Sequence, residues 1–147
     1  MTNRDISPEN IIVDNQLLRL IAALPLQYDD HAFAGNLLNN FNTLFPSYDR
    51  SPRYAKHNFG SYRAQLNGFA EGYLAGYAAG DESIEYSLKV EEFLMLLDLA
   101  CHHTGLLNEE WNEGIQLRVG DRAAVKERIP EYIRRLEQFA FDRGPNK

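Results

Sequence analysis

The sequence predicts an all-α, bundle-like single domain of about five helices. Apolar residues recur at helical spacing, and Phe33, Leu37 and Phe41 are one example. Capping residues, prolines and glycines divide the chain into segments of ordinary helix length. The 147 residues, 44% of them hydrophobic and 24% charged, have the size and composition of one globular domain. We therefore treat residues 1–147 as one unit without an internal repeat.

The N-terminal segment predicts a polar lead-in followed by a first helix. Residues 1–13 are mostly polar, and their last three, Ile-Ile-Val, suit a short extended piece. Asp14 is an acceptable N-cap for a helix that ends at Pro25. The apolar stripe of this helix would consist of Leu17, Leu18, Leu20, Ile21 and Leu24.

A second helix and a long loop are expected next. Asp29 or Asp30 caps the helix, which should extend to Phe45 because Pro46 cannot continue it. Residues 46–60 show no clear period and hold two prolines, a glycine, three cations and three aromatic residues. An irregular stretch of this length inside a domain is typically functional or mobile.

Three further helices are predicted in the second half of the chain. Their caps are Gly60 or Ser61, Asp81 or Ser83, and Asp121, and the first two end at Ala79 and near His103. Residues 106–119 are ambiguous: Asn108 is an acceptable cap for a short helix through Trp111, and residues 115–119 suit a short strand. The last helix keeps one apolar phase across Pro130, which predicts a kink rather than a break.

The net charge of −6 conceals an acidic block in the middle of the chain. Residues 61–116 carry 2 Lys or Arg and 10 Asp or Glu, whereas residues 117–147 carry 8 and 5. This asymmetry predicts an acidic surface that attracts a basic protein, or two solvated faces that attract each other within the fold. Direct nucleic-acid binding is not predicted, because phosphates require clustered positive charge. The residues assigned to the partner surface are Glu82, Glu85, Glu91, Glu92, Glu109, Glu110, Trp111 and Glu113.

Cysteine content and hydropathy predict a soluble cytoplasmic protein. Cys101 is the single cysteine, so no internal disulfide can form. The polar start of the chain holds no signal peptide, and no apolar run is long enough to cross a bilayer.

A ladder of glycines is the most unusual pattern. Gly68, Gly72, Gly76 and Gly80 are spaced by four, and each interior glycine costs a helix about 0.8–1.0 kcal/mol relative to alanine. A glycine groove lets another backbone approach closely, so we predict that Gly72 and Gly76 contact another helix at less than the usual distance of about 8–10 Å. That helix could belong to this chain, to a second copy or to a partner. Tyr73 and Tyr77 form a ridge beside the groove.

Residues capable of chemistry are few, and none has a catalytic spacing. Asp98 and His102 are one helical turn apart, where a carboxylate can orient an imidazole. Cys101 continues the apolar stripe of Val90, Phe93, Leu94 and Leu97, which predicts a buried thiol. A buried Asp98 would need a partner, either His102 or an arginine such as Arg128 or Arg135. No metal-binding spacing and no cofactor motif are present.

We therefore predict a non-enzymatic protein-interaction module, such as an inhibitor, an immunity-type protein or a small chaperone. The alternative is a small enzyme or a nucleotide- or phosphate-binding protein, because arginines and aromatic rings together can bind a phosphate and stack on a base. This alternative uses a ligand loop with His102 and Asp98, and the loop residues are Arg50, Arg53, Tyr54, Lys56, His57 and Arg63.

Overall fold

The computed structural model describes residues 11–14, 17–20, 30–48, 51–52 and 54–139. Helices dominate this part of the chain, which confirms the all-α class. The elements are β1 (Ile11–Asp14), β2 (Leu17–Leu20), α1 (Asp30–Asn39), α2 (Phe45–Ser47), α3 (Arg63–Ala78), α4 (Glu82–Leu106), α5 (Glu113–Val119) and α6 (Arg122–Gln138). The π-helical turn Asn40–Leu44 joins α1 directly to α2. The described helices therefore form five continuous helical segments, namely α1 with α2, and α3, α4, α5 and α6.

The predicted first helix is wrong where the structure describes it. β1 and β2 form an antiparallel hairpin in which Ile11 pairs with Leu20 and Asp14 pairs with Leu17. Short apolar runs cannot be assigned to helix or strand by periodicity alone, and the β-branched residues of β1 favour an extended backbone. The remainder of that predicted helix lies outside the described residues.

The second helix begins where predicted but continues past its predicted end. Pro46 lies in α2, directly after the π-helical turn Asn40–Leu44, and the helix continues through it to Ser47. The predicted structureless loop over residues 46–60 is also wrong in its described part. Two short 3₁₀ turns, Ala55–His57 and Phe59–Tyr62, lead directly into α3.

The turn between α3 and α4 agrees closely with the prediction. Ala79 and Gly80 both adopt positive φ angles, of 49° and 84°. Asp81 then caps α4 by accepting hydrogen bonds from the backbone N–H groups of Ser83 and Ile84. At its other end α4 runs through Gly105 to Leu106, because a helix tolerates a single glycine.

The ambiguous segment before the last helix is helical over α5, but residues 108–111 are not, so the short helix predicted from Asn108 is wrong. Asn112 accepts a hydrogen bond from the Ile115 backbone at 3.0 Å and caps α5, so the predicted strand near residues 115–119 is wrong. Asp121 caps α6 as predicted, accepting from the Ala124 backbone at 2.7 Å. The helix α6 runs uninterrupted through Pro130.

The long helix α4 lies at the centre of the packing, with α1 against one side and α6 against another. Among the described residues, three clusters of buried apolar side chains surround it, and each cluster includes residues of α4. They are centred on Leu38 and Leu88, on Leu106 and Val125, and on Leu96 and Tyr132.

One glycine allows α1 to approach α4 very closely. A Cβ atom added to Gly35 would lie 2.8 Å from the carbonyl carbon of Glu91 and 2.9 Å from the nitrogen of Glu92, and closer still to the Glu91 Cβ. Side chains do not tolerate contacts of this length with a backbone. The close helix approach that was expected at the glycine ladder therefore occurs at Gly35 instead.

Candidate functional site

The side of α4 that was predicted to be buried is largely exposed, and the opposite side is buried. Its buried residues are Leu88, Glu92, Leu96, Ala100, His103 and Leu106. Leu94 and Leu97 are 46% and 40% exposed, and the thiol of Cys101 is exposed, so the predicted buried thiol is wrong. The prediction failed because the buried side of α4 includes a carboxylate and an imidazole, so its sequence pattern is typical of an exposed polar side.

We call the stripe of Val90, Leu94, Leu97 and Cys101 the outer face of α4. These four residues recur at helical spacing and cover about three turns of one side. Asp98 is exposed beside them, and Glu91, seven residues earlier, lies on the same side of the stripe, where it is half-buried against α1. The outer face therefore combines an apolar strip with carboxylates along one margin.

Glu92 does not face a partner, contrary to its assignment. Glu92 is only 6% exposed, and its Oε1 accepts a hydrogen bond from Asn42 Nδ2 at 2.8 Å. Arg135 Nη2 lies 3.7 Å from the same oxygen. Burial raises the pKa of the Glu92 carboxyl above its usual range, although Asn42 and Arg135 act in the opposite direction. The contact joins the acidic middle of the chain to its basic end inside the fold.

The other acidic residues do not form one patch. Glu82 and Glu85 lie in the first turn of α4, whereas Glu109, Glu110 and Glu113 follow its end. The 25 residues of α4 separate these groups by about 37 Å. Glu85 is also paired with Lys89 at 2.6 Å.

Trp111 is not the exposed anchor that was expected among these carboxylates. It is half-buried and packs against the cluster around Leu106 and Val125. The guanidinium of Arg122 lies 5.4 Å from the centre of its ring.

The glycine ladder lies on an open face of α3. Gly68, Gly72 and Gly76 are exposed, and an added Cβ at any of them would meet no described atom within 4 Å. The prediction that another of the described helices packs against Gly72 and Gly76 is therefore wrong. Tyr73 and Tyr77 are half-buried and pack towards the cluster around Leu38 and Leu88. A seam with a second copy or a partner stays a prediction.

The described part of the alternative ligand loop is largely packed inward. Tyr54 contacts the rings of Tyr48 and Phe59, and His57 stacks on Phe59 at 5.1 Å. Arg63 forms an ion pair with Glu131 at 2.8 Å. Arg50 and Arg53, and the side chain of Lys56, lie outside the described residues.

A small cavity does join this segment to His102, as the alternative required. Its volume is about 190 Å³, and Tyr48, Tyr54, His102 and Arg118 are in its wall. Asp98 is not part of the lining. Ligand sites usually occupy about 300–1,000 Å³, so this cavity is small for a nucleotide.

A buried polar network beneath this cavity escaped the sequence analysis. His103 is fully buried, and its Nε2 shares a hydrogen bond of 3.0 Å with the Tyr48 hydroxyl. Arg128 donates to the carbonyls of Ser47 and Val119 and lies over the Tyr48 ring at 4.5 Å. Burial, with the nearby Arg128 and His102, lowers the pKa of His103 to about 3. Arg128 therefore ties α6 to the end of α2.

Across the residues that the structure describes, the fold and these surfaces define an all-α protein with an exposed apolar helix face. Within the described ranges, no group of His, Cys, Asp and Glu residues is arranged to hold a metal ion. No helix in the part of the chain that the structure describes is long and apolar enough to span a bilayer. Comparison with protein-family models, with curated proteins and with solved structures gave no match.

Proposed function

We propose that this protein is a non-enzymatic protein-interaction module and that its partner docks on the outer face of α4. The observation that carries the proposal is the exposure of Leu94 and Leu97, at 46% and 40%, on a helix whose opposite face is buried. Single exposed leucines are common, but a continuous apolar stripe along three turns is typical of an interaction surface.

The margin of the stripe suggests the chemistry of the partner. Glu91 and Asp98 border the apolar residues, so an amphipathic helix with lysines or arginines beside its apolar stripe would match both features. The partner remains a basic protein, as predicted from composition, but it would bind to one helix face instead of to the dispersed acidic block. Inhibitors, immunity-type proteins and small chaperones are classes that act through such contacts.

The test is a comparison of capture by matched variants. The immobilised protein, the double variant Leu94→Ser/Leu97→Ser and the control Leu117→Ser are each exposed to an extract of the native host. Leu117 is 59% exposed on α5, away from the outer face, so it controls for general hydrophobicity. Full burial of one exposed leucine contributes about 1.5–3 kcal/mol, and these two leucines are each less than half exposed, so together they should contribute about that much. The double variant should therefore weaken capture about tenfold.

Three outcomes decide the proposal. A polypeptide that the wild type and the Leu117 control retain, that the double variant loses and that high salt weakens supports it. If no captured polypeptide depends on the two leucines, the outer face is not the docking surface. If light scattering shows a wild-type dimer that the double variant abolishes, the occupant is a second copy and the basic-partner proposal is wrong.

A further inference from the structure

A cleft of about 470 Å³ opens between α3, α4 and α6, and its volume is in the range of small-molecule sites. Its wall holds two acidic and two basic side chains, and beside them apolar and aromatic ones. The charged residues are Glu71, Glu92, Lys89 and Arg135, and the apolar surface comes from Leu74, Tyr86 and Phe139.

Arg135 is paired with Glu92 in this wall, but only loosely. Its side chain is 20% exposed, and its Nη2 lies 3.7 Å from Glu92 Oε1, beyond hydrogen-bonding distance. Its Nε is buried and donates to no acceptor among the described residues. A desolvated guanidinium without full hydrogen bonding is unfavourable, and a carboxylate is the anion whose geometry suits it best. An anion in the cleft would pair with the part of this guanidinium that is exposed.

Asn67 and Glu71 offer the complementary chemistry on α3. They are four residues apart, so they share one side of the helix, and both line the cleft. The Oδ1 atom of Asn67 is buried and accepts no hydrogen bond from the described residues. Glu71 is exposed, and its carboxylate also only accepts. An ammonium group in the cleft would pair with the exposed carboxylate of Glu71.

The other charged groups of the wall are already engaged. Lys89 Nζ contacts Glu85 Oε1 at 2.6 Å, and Glu92 Oε1 accepts from Asn42 at 2.8 Å. A simple anion would leave the exposed carboxylate of α3 unmatched, and a simple amine would leave Arg135 unmatched. A ligand that carries both an anionic and an ammonium group would pair with Arg135 and with that carboxylate.

We infer that the cleft binds a small amphoteric molecule, namely a free α-amino acid with an apolar or aromatic side chain. Its carboxylate contacts Arg135, its ammonium contacts Glu71, and its side chain packs on the apolar surface of Leu74, Tyr86 and Phe139. The inference is independent of the outer face of α4, which lies on another side of that helix.

L-Phenylalanine and L-leucine are the probes, and their effect is measured by thermal denaturation and by titration calorimetry. Both should raise the melting temperature as their concentration rises into the millimolar range. N-acetyl-L-phenylalanine lacks the ammonium, and L-phenylalanine amide lacks the carboxylate. Each should bind roughly tenfold more weakly than L-phenylalanine, because one charged hydrogen-bonding group is lost.

Paired variants place the effect in the cleft. Arg135→Gln and Glu71→Gln should each weaken L-phenylalanine binding roughly tenfold or more, and Glu71, which is exposed, can be replaced without disturbing the core. Arg134→Gln and Glu137→Gln, exposed neighbours on α6 outside the cleft, should bind like the wild type. The inference is overturned if neither probe binds, if both blocked derivatives bind as well as L-phenylalanine, or if the acetylated form alone does, which would indicate a simple anion site.

Discussion

Replacing Gly35 by alanine should destabilise the protein, whereas replacing Gly72 by alanine should stabilise it. The new Cβ at Gly35 would lie 2.8 Å and 2.9 Å from backbone atoms of Glu91 and Glu92, against an optimum of about 3.5–4.0 Å. Backbone atoms cannot rotate away, so α1 must withdraw from α4. Overpacking of this kind costs up to about 3 kcal/mol, and the gain in helix propensity returns about 1 kcal/mol. The net loss is about 2 kcal/mol.

Gly72→Ala should gain helix propensity without any overpacking, because no described atom lies within 4 Å of the added Cβ. We expect about 0.8–1.0 kcal/mol of stabilisation. Urea unfolding followed by far-ultraviolet circular dichroism measures both values, and the melting temperatures should differ by roughly 6–12 °C. A Gly35→Ala protein as stable as the wild type would refute the close approach. A Gly72→Ala protein that is destabilised or loses an oligomer would show that the glycine ladder packs against another chain.

Two further predictions concern a buried imidazole and a strained turn. Burial lowers the pKa of His103 from 6.5 to about 3. Between these pH values the unfolded chain therefore binds a proton at His103 and the folded protein does not. The free energy of unfolding should fall by up to about 1.4 kcal/mol for each pH unit below 6.5. Urea unfolding at several pH values should show this slope in the wild type and in the control His102→Gln, but not in His103→Gln, and equal slopes in all three would contradict it. Ala79→Gly should stabilise the protein by about 1 kcal/mol, because Ala79 holds a φ of 49°; a loss of melting temperature would mean that the turn is not strained.

Local signals in the sequence predicted the beginnings of α4 and α6 correctly. Asp81 and Asp121 cap helices as expected, since an N-cap bonds to a backbone only two or three residues ahead. The same reasoning failed for β2, because a four-residue apolar segment takes its conformation from the strand that pairs with it.

The orientation of α4 could not be predicted because both of its sides carry apolar residues. The buried side of α4 is the one on which Glu92 pairs with Asn42 and His103 pairs with Tyr48, residues that are 50 and 55 positions away along the chain. Such distant partners leave no periodic trace in a single sequence. The charged cleft was missed for the same reason, since its wall draws residues from three helices and a π-helical turn.

The central position of α4 has a consequence for how the protein unfolds. Leu88, Leu96 and Leu106 belong to three different buried clusters, yet all are held by one continuous run of helical hydrogen bonds. Loss of any cluster removes support from a turn of the helix on which the others depend. The clusters are therefore expected to melt as one cooperative unit, and amide hydrogens in the middle of α4 should exchange with solvent only through global opening.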